Sequence, residues 1–513
     1  MLTKFIVLGI YFAILFFIGL MASRRVKGLS DFYVGGKNIG YWAAAFSARA
    51  TGESGWLLLG LTGMGAIAGL SAYWVVVGEL LGVGISWWFM AKPFKRLTDK
   101  YESITVPDFL ESHFNAKTHT IRVLAAVALA VFVVIYVSAQ IDATGKAFES
   151  LLELNYFTGA LLGFFIVLAY IFIGGFVAAV WSDLFQGILM FLGLVTLPVI
   201  AWWSITNGDG IVSGLHAIDP DLTNIWGNDP NPWMNIFAIL GFVTIGLGFL
   251  GSPQIYVRFI SIKNDSEIDK GKWVAIIFTL LTDAAAVTIG LLGRYLFTET
   301  GQDPEVILGT GGEDVIIQLI EYSFPTIIIA IYIAIILSAI MSTIDSLLIL
   351  ASSAITRDFY QKIRRPDLKD GDLTSMSRYV TLVMALAALA IAMAVAILTP
   401  DRTVFWFVIF GWSGIAATFC PVTILCLFWK PYSEKGAIAS MVTGFLCVPL
   451  FKFGIMEMEG IGPYIEKLDV LAPSFLCSIL AGILFTKLYP KQVDDNLIDN
   501  SDDLIYDSFK DQT

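Results

Sequence analysis

The sequence is poor in charged residues, histidine and cysteine. Only 15% of its 513 residues are charged, and it has three histidines and four cysteines. The cysteines all lie within apolar stretches without paired metal-ligand spacing, so we interpret them as small buried hydrophobic residues. The histidines fall in predicted loops, with no second ligand at a useful spacing. The sequence therefore does not favour a disulfide framework or a metal centre built on these residues.

Basic surfaces and catalytic motifs are also missing. The net charge is −11, which gives no support to a nucleic-acid partner. No serine or cysteine has a neighbouring base in a recognisable nucleophile motif. A membrane enzyme would need a set of catalytic groups that the sequence does not display. We therefore predict that the chain is not an enzyme.

Apolar residues dominate what is present. They make up 57% of the chain, and the mean hydropathy is +0.76. A helix needs about 20 mostly apolar residues to cross a bilayer, and such stretches recur along almost the whole length, which predicts about thirteen spans. The first stretch, residues 4–22, is too long for a signal-peptide core and is predicted to be retained. These patterns indicate an all-α, multi-pass protein of the cell (inner or plasma) membrane.

The distribution of lysine and arginine predicts the orientation of the spans. Basic residues collect in alternate loops, whereas the loops at 206–232 and 299–324 contain no lysine or arginine. Cytoplasmic loops retain positive charge. With an odd number of spans, the N-terminus is predicted outside and the C-terminus inside, so that residues 491–513 form an acidic cytoplasmic tail.

Helix-breaking residues cluster in the second and seventh predicted spans, at residues 46–56 and 246–253. These spans are five helices apart, as expected if spans 2–6 and 7–11 are inverted repeats. Close helix packing also explains many glycines in membrane helices. The matching positions nevertheless favour a binding site at the membrane midplane, because unwound backbone at that depth is tolerated around a cavity.

Ionisable residues inside apolar spans are candidates for function, because each costs about 2.5–3.5 kcal/mol on insertion scales. Arg49 and Glu53 are four residues apart and can pair on one helix, so a structural pair and a substrate role both remain open. Glu79 and Asp142 could bind a cationic substrate group, carry a proton or pair with Arg49. The sequence does not choose among these roles.

The ninth predicted span contains the densest group of oxygen ligands. Ser342, Thr343, Asp345 and Ser346 fall within about one helical turn. Oxygen ligands suit a hard cation such as Na⁺. Hydroxyl groups at such positions often bond back to helix carbonyls, but the aspartate has no such explanation.

Seven segments in this order resemble the sodium:solute symporter family, and within it the bacterial sodium/proline symporters. They lie at residues 31–36, 54–57, 105–109, 181–183, 251–258, 341–346 and 412–414. The resemblance implies a LeuT-like inverted-repeat core, formed by spans 2–11, and an additional N-terminal helix. The implied division is a transmembrane domain at 1–490, with an N-terminal helix and loop at 3–39, repeats at 40–205 and 234–428, and C-terminal helices at 437–488.

The resemblance also implies roles for particular residues. Sodium ions are the expected ligand, and the small-molecule substrate is expected to be proline or another amino acid. The implied sets are Ala50, Glu53, Ala339, Ser342 and Thr343 for one sodium, Asp183, Asp345 and Ser346 for a second cation, and Gly55, Trp56, Tyr136, Phe249 and Pro253 for the substrate.

This chain departs from the proline symporters at four positions: Gly52 replaces an aspartate, Ile245 and Phe249 replace a tryptophan and a tyrosine, and Glu79 replaces an apolar residue. The prediction is a sodium-coupled symporter that imports a small organic solute by alternating access. A proton-coupled carrier that uses Glu53, Glu79 or Asp142, and a transporter-like sensor without net transport, are the alternatives.

Overall fold

A computed structural model describes residues 2–24, 29–205, 210–227, 229–368 and 373–490, without the side chains at 29, 170–174 and 374. The described chain is helical, and its β-type pairing is one bridge between Ile39 and Ile262. The helices are α1 (Leu2–Ser23), α2 (Leu29–Val34), α3 (Tyr41–Gly55), α4 (Thr62–Ala68), α5 (Tyr73–Ile85), α6 (Ala91–Lys100), α7 (Val106–His113), α8 (Thr120–Leu152), α9 (Tyr156–Ser204), α10 (Ile211–Ile218), α11 (Pro232–Thr244), α12 (Pro253–Ser261), α13 (Asp265–Phe297), α14 (Pro304–Leu308), α15 (Val315–Ser323), α16 (Thr326–Ser353), α17 (Leu373–Leu398), α18 (Val404–Phe428), α19 (Glu434–Leu450), α20 (Gly462–Leu468) and α21 (Leu471–Leu488).

Eleven helical stretches in the described residues are long and apolar enough to cross a membrane. One of them, Tyr41–Lys100, is 60 residues long and contains two of the predicted spans. The helix at Tyr156–Ala169 is apolar but shorter. The number of about thirteen spans and their orientation therefore stay predictions. The predicted tail at 491–513 lies outside the described residues.

Both predicted helix breaks are present in the backbone. The helical path of α3 is interrupted at Ser54, which has φ 48° and ψ −168°. In the seventh predicted span, α11 passes into a 3₁₀ segment at Ile245–Leu250. Gly251, with φ +158°, then turns the chain, and Pro253 begins α12. Proline is accepted at the first turn of a helix because its missing N–H would have no helical partner there.

The first broken span packs against α16 through α3, and the second does so through α12. Every residue from Tyr332 to Ala354 is buried, which places this helix at the centre of the bundle. On the other side, α5 contacts the Ile245–Leu250 segment directly. A Cβ atom on Gly82 would meet the carbonyl oxygen of Gly246, so only glycine allows the two backbones to come this close. The breaks in both spans therefore lie inside the protein.

Candidate functional site

The break in α3 changes the hydrogen bonding of the preceding turn. In a regular helix the N–H of Gly55 would donate to the carbonyl of Thr51. It donates instead to Gln140 Oε1 of α8, at 2.9 Å. The Thr51 carbonyl then accepts the hydroxyl of Thr343, at 3.1 Å. A side chain of α8 thus frees a backbone oxygen of α3 for a contact with α16.

The predicted residues of the first sodium site meet at this contact. The Ser342 hydroxyl donates to the carbonyls of Ala50 and Ala339, at 3.0 and 3.1 Å. Thr343 also donates to the Ala339 carbonyl, at 3.2 Å. All of these groups are buried. The fifth predicted residue, Glu53, has its carbonyl oxygen bonded to the N–H of Trp56 across the break.

The donor set at this contact fits a sodium ion. It consists of backbone carbonyl and hydroxyl oxygens, which are the neutral hard ligands that an alkali cation accepts. The hydroxyl hydrogens can rotate away, so that the oxygens of Ser342 and Thr343 become available to an ion. The residues present are therefore suited to holding sodium between α3 and α16.

Asp183 and Ser346, predicted for a second cation, contact an arginine. Asp183 Oδ2 accepts from Ser47 Oγ at 2.6 Å and from Arg258 Nη2 at 3.1 Å. Arg258 also donates to the hydroxyl of Ser346. The third predicted residue, Asp345, is buried and interacts electrostatically with Arg258. Arg258 was not predicted for this site, because its partners Asp183 and Ser346 lie 75 and 88 positions away in the sequence.

A second charged cluster surrounds Arg49. Its guanidinium pairs with Glu53, as the spacing of four residues allows, and with Glu79 at 3.4 Å. The carboxyl groups of Glu53 and Asp283, which lies on α13, are within hydrogen-bonding reach of each other. All four side chains are buried. Asp283 was not predicted from the sequence, although an aspartate in the middle of an apolar stretch is a usable signal.

Asp142, the other carboxylate with an open role, lies in a different network. It accepts from Arg402 Nε at 2.9 Å and from the Tyr156 hydroxyl at 2.6 Å. Nearby, Lys146 pairs with Glu313 at 3.0 Å. Asp142 therefore pairs with Arg402 and not with Arg49, which was one of the three open roles. Arg402 lies in the short connection between α17 and α18.

The predicted substrate residues meet polar partners at the α3 break. Ser54 Oγ lies 3.3 Å from Gln140 Nε2 and 3.5 Å from the Tyr136 hydroxyl. The Trp56 indole N–H donates to the Gly52 carbonyl at 3.1 Å. Gly55 is held through its backbone N–H by Gln140. Ser54 and Gln140 were not among the predicted substrate residues.

Aromatic rings form the wall next to this polar group. The ring centroid of Trp412 is 5.0 Å from that of Phe249 and 6.4 Å from that of Tyr136. The Arg49 guanidinium lies 4.6 Å above the Phe249 ring. Pro253 is buried at the start of α12, beyond the Gly251 turn. Trp412 belongs to one of the resembling segments, but its place at the site depends on how α18 packs.

A match to a known protein family identifies the family to which the chain belongs. The model of the sodium:solute symporter family covers residues 32–444. The chain belongs to the sodium:solute symporter family. Being a member of this family, it is a sodium-coupled symporter and not an enzyme, which confirms those two predictions. Its apolar helices make it a multi-pass protein of the plasma membrane.

Relatives of this symporter are similar over almost their full length. The high-affinity proline transporter PutP of Bacillus subtilis is 33% identical over 468 residues, which is 90% of this chain and 93% of the relative. Sodium/proline symporter 2 of Staphylococcus saprophyticus is 32% identical over 501 residues, with 95% and 93% covered. The predicted resemblance to bacterial sodium/proline symporters is thus confirmed.

Solved structures confirm the fold of this symporter. A sodium-coupled sialic acid symporter in a substrate-bound, outward-open state superposes with a TM-score of 0.76, at 16% identity and with 96% of this chain and 99% of that chain covered. MhsT in complex with L-phenylalanine gives a TM-score of 0.50 at 15% identity, with 87% and 97% covered. The predicted all-α, LeuT-like architecture is therefore correct.

Proposed function

We propose that this symporter imports proline, or an amino acid closely similar to it, and binds one sodium ion between α3 and α16. The observation that carries the sodium site is the pair of contacts from Ser342 and Thr343 to the carbonyls of Ala50 and Thr51. The names of the relatives support proline as the first substrate to test.

The proposed sodium ligands lie on two helices that are far apart in sequence. Ala50 is on α3, at the broken span of the first predicted repeat, and Ala339, Ser342 and Thr343 are on α16. A bound sodium ion would supply a positive charge that both helices share. Ligands on both helices make ion affinity depend on how the helices are placed, which is what coupling to a conformational change requires.

The proposed substrate contacts lie one turn further along the same break. Ser54, Tyr136 and Gln140 offer hydroxyl and amide groups to a polar end of the substrate. Trp412 and Phe249 offer apolar faces to its hydrocarbon part. Since Ser54 lies four residues after the proposed ligand Ala50 on the same helix, movement of the break would affect both the ion and the substrate.

Uptake by proteoliposomes tests this proposal. The purified protein is reconstituted and given radiolabelled proline with an inward sodium gradient, with an inward proton gradient in potassium buffer, or with neither. We expect proline to accumulate above its own equilibrium concentration in the first condition alone. Competition with unlabelled amino acids then ranks the substrates. Proton-driven uptake without sodium would favour the carrier alternative, and binding without uptake would favour the sensor.

A further inference from the structure

The N-terminal helix α1 turns one narrow face toward the bundle. Its buried residues are Leu8, Tyr11, Leu15, Gly19 and Ala22, at intervals of three or four positions, and this helix packs against α9 and α16. Tyr11 is the one member of this set with a polar side-chain atom, and only 4% of the residue is exposed. A helix outside the predicted repeats therefore places a hydroxyl group inside the protein.

The Tyr11 hydroxyl joins α9 to α16. It accepts a hydrogen bond from Gln186 Nε2 at 3.0 Å, and its oxygen lies 3.0 Å from Ser338 Oγ and 3.9 Å from the Sδ atom of Met341. Gln186 and Ser338 are both fully buried. Within the described residues, the other polar atom of this amide, Gln186 Oε1, has no hydrogen-bond partner. Tyr11 therefore supplies the hydrogen bond that links the amide of α9 to α16.

The residues that Tyr11 contacts on α16 belong to the turn that carries the proposed sodium ligands. Ser338 directly precedes Ala339, which offers its carbonyl oxygen. Met341 directly precedes Ser342, which offers its hydroxyl. All four residues fall within about one helical turn. Tyr11 thus contacts the neighbours of two proposed ligands, on the same turn of the helix.

Loss of the phenolic oxygen would disturb this turn. Residues behind the ligands of a metal ion orient those ligands, and their removal lowers metal affinity about tenfold or more. Ser338 shares its hydroxyl between Tyr11 and the Ala334 carbonyl, which lies at 2.7 Å. Without Tyr11 the buried amide of Gln186 would have no partner, and an unpaired buried polar group costs about 1–3 kcal/mol. A shift of α9 and α16 that relieves this cost would carry the ligand oxygens with it.

We propose that Tyr11 is a positioning residue of the sodium site: its hydroxyl holds the Ser338–Ser342 turn of α16 against Gln186 of α9, and this sets the sodium affinity of the symporter. The inference rests on the proposed sodium site between α3 and α16. It gives α1, which lies outside the predicted inverted repeats, a direct effect on sodium binding.

Removal of the hydroxyl tests the inference. In proteoliposomes we expect Tyr11→Phe to raise the sodium concentration for half-maximal proline uptake about tenfold, while proline affinity at saturating sodium stays unchanged. Tyr332→Phe is the matched control, because this tyrosine also joins α16 to α9, through the Gly193 carbonyl at 3.0 Å, but lies seven positions before Ala339. Its sodium activation should equal that of the unmodified protein. An unchanged sodium requirement in Tyr11→Phe, or an equal increase in Tyr332→Phe, contradicts the inference.

The double variant Tyr11→Phe with Ser338→Ala tests the contact through which the tyrosine acts. If Tyr11 acts through Ser338, the double variant should need no more sodium than the more affected single variant. Multiplied effects would show two independent contributions and would overturn the proposed contact. If Tyr11→Phe does not fold, Ser338→Ala alone decides, because it removes the same contact from the side of α16. An unchanged sodium requirement in that variant contradicts the inference.

Sodium binding measured without transport separates the two proposals. The melting temperature in detergent is titrated with sodium, and potassium keeps the ionic strength constant. We expect the midpoint of this titration to rise about tenfold in Tyr11→Phe. Sodium-dependent melting of the unmodified protein without proline uptake would overturn the proposed function, while the shift of the midpoint would still test the inference. A melting temperature that falls equally in sodium and in potassium, with an unchanged midpoint, would mean that Tyr11 supports only the fold, and would overturn the inference.

Discussion

The hydroxyl of Ser342 donates a 3.0 Å hydrogen bond to the carbonyl of Ala50, which lies 292 positions earlier in the chain. The carbonyl belongs to the turn of α3 that precedes the break at Ser54. The hydroxyl belongs to the most enclosed part of α16. Two half-sites, one on each predicted repeat, are thereby brought to the same depth in the bundle.

Loss of a hydroxyl on α16 should weaken sodium activation. We predict that Thr343→Ala raises the sodium concentration for half-maximal proline uptake about fivefold, which corresponds to ~1 kcal/mol for one polar contact. Ser342→Ala should act in the same direction. Proline affinity at saturating sodium should change less. Ser352→Ala is the matched control, because it removes a hydroxyl from the same helix at a residue that bonds to Ile349 and Ser377. Unchanged sodium activation in both site variants would remove these residues from the site.

The orientation of the chain can be tested by cysteine labelling. We predict that Gln302→Cys is labelled from outside the cell and Asp367→Cys from the cytoplasm, because lysine and arginine are concentrated on one side. Both side chains are exposed. The measurement uses a membrane-impermeant maleimide on whole cells and on inverted vesicles, in a background without the four native cysteines. Labelling of both positions from one side would contradict the predicted topology.

The charge cluster of α3 should depend strongly on its arginine. Arg49→Met leaves the buried carboxyl groups of Glu53, Glu79 and Asp283 without a cation, and we predict a loss of about 3–5 kcal/mol in unfolding free energy. Adding Glu79→Gln should recover part of that loss, since it removes one uncompensated acid. Denaturant unfolding in detergent measures both. Additive destabilisation by the two substitutions would mean that Arg49 and Glu79 do not interact.

Glu313 should make stability depend on pH. It lies outside the membrane spans, where burial raises its pKa above the ordinary value of 4.5, although Lys146 and two backbone N–H groups oppose the rise. The folded protein thus holds this proton to higher pH than the unfolded chain does. The contribution of this Glu313 proton to folding stability is fully present below pH 4.5, and it is lost as the pH rises through the folded-state pKa of Glu313.

The melting temperature measured from pH 4.5 upward should therefore fall less in Glu313→Gln than in the unmodified protein. The glutamine keeps an oxygen that can accept the N–H of Phe405, as Glu313 does at 3.0 Å. Glu299→Gln, an exposed residue of the same loop, is the control. Identical pH profiles for the unmodified protein and Glu313→Gln would show that this proton does not contribute.

Two glycines of α5 provide a matched test of backbone packing. Gly82 faces the backbone of Gly246, whereas a Cβ atom on Gly84 would have nothing within 4 Å. We predict that Gly82→Ala costs about 1–3 kcal/mol through overpacking. Gly84→Ala should be neutral or stabilise the helix by up to about 1 kcal/mol. Thermal unfolding in detergent distinguishes the two. Equal effects would mean that α5 can move away from the 245–250 segment.

Sequence patterns were sufficient for the features that depend on neighbouring residues. The apolar stretches indicate membrane helices, because length and hydrophobicity set the cost of crossing a bilayer. The clusters at 46–56 and 246–253 place the breaks, since glycine, proline and polar groups act on their own turn of helix. The pairing of Arg49 with Glu53 follows from their spacing on one helix.

Contacts between distant helices were decided by the tertiary structure. The Asp183–Arg258 pair spans 75 positions, and the Asp142–Arg402 pair spans 260. Gln140 could not be linked to Gly55 from the sequence either, because its role depends on the α3 break pointing at α8. Hydrophobicity determines how deep a helix lies in the bilayer. It does not determine the rotation of the helix about its own axis or which helices it contacts. Those are set by packing, and so the sequence determined the spans and their breaks, whereas only the packed bundle determined which buried charges neutralise one another.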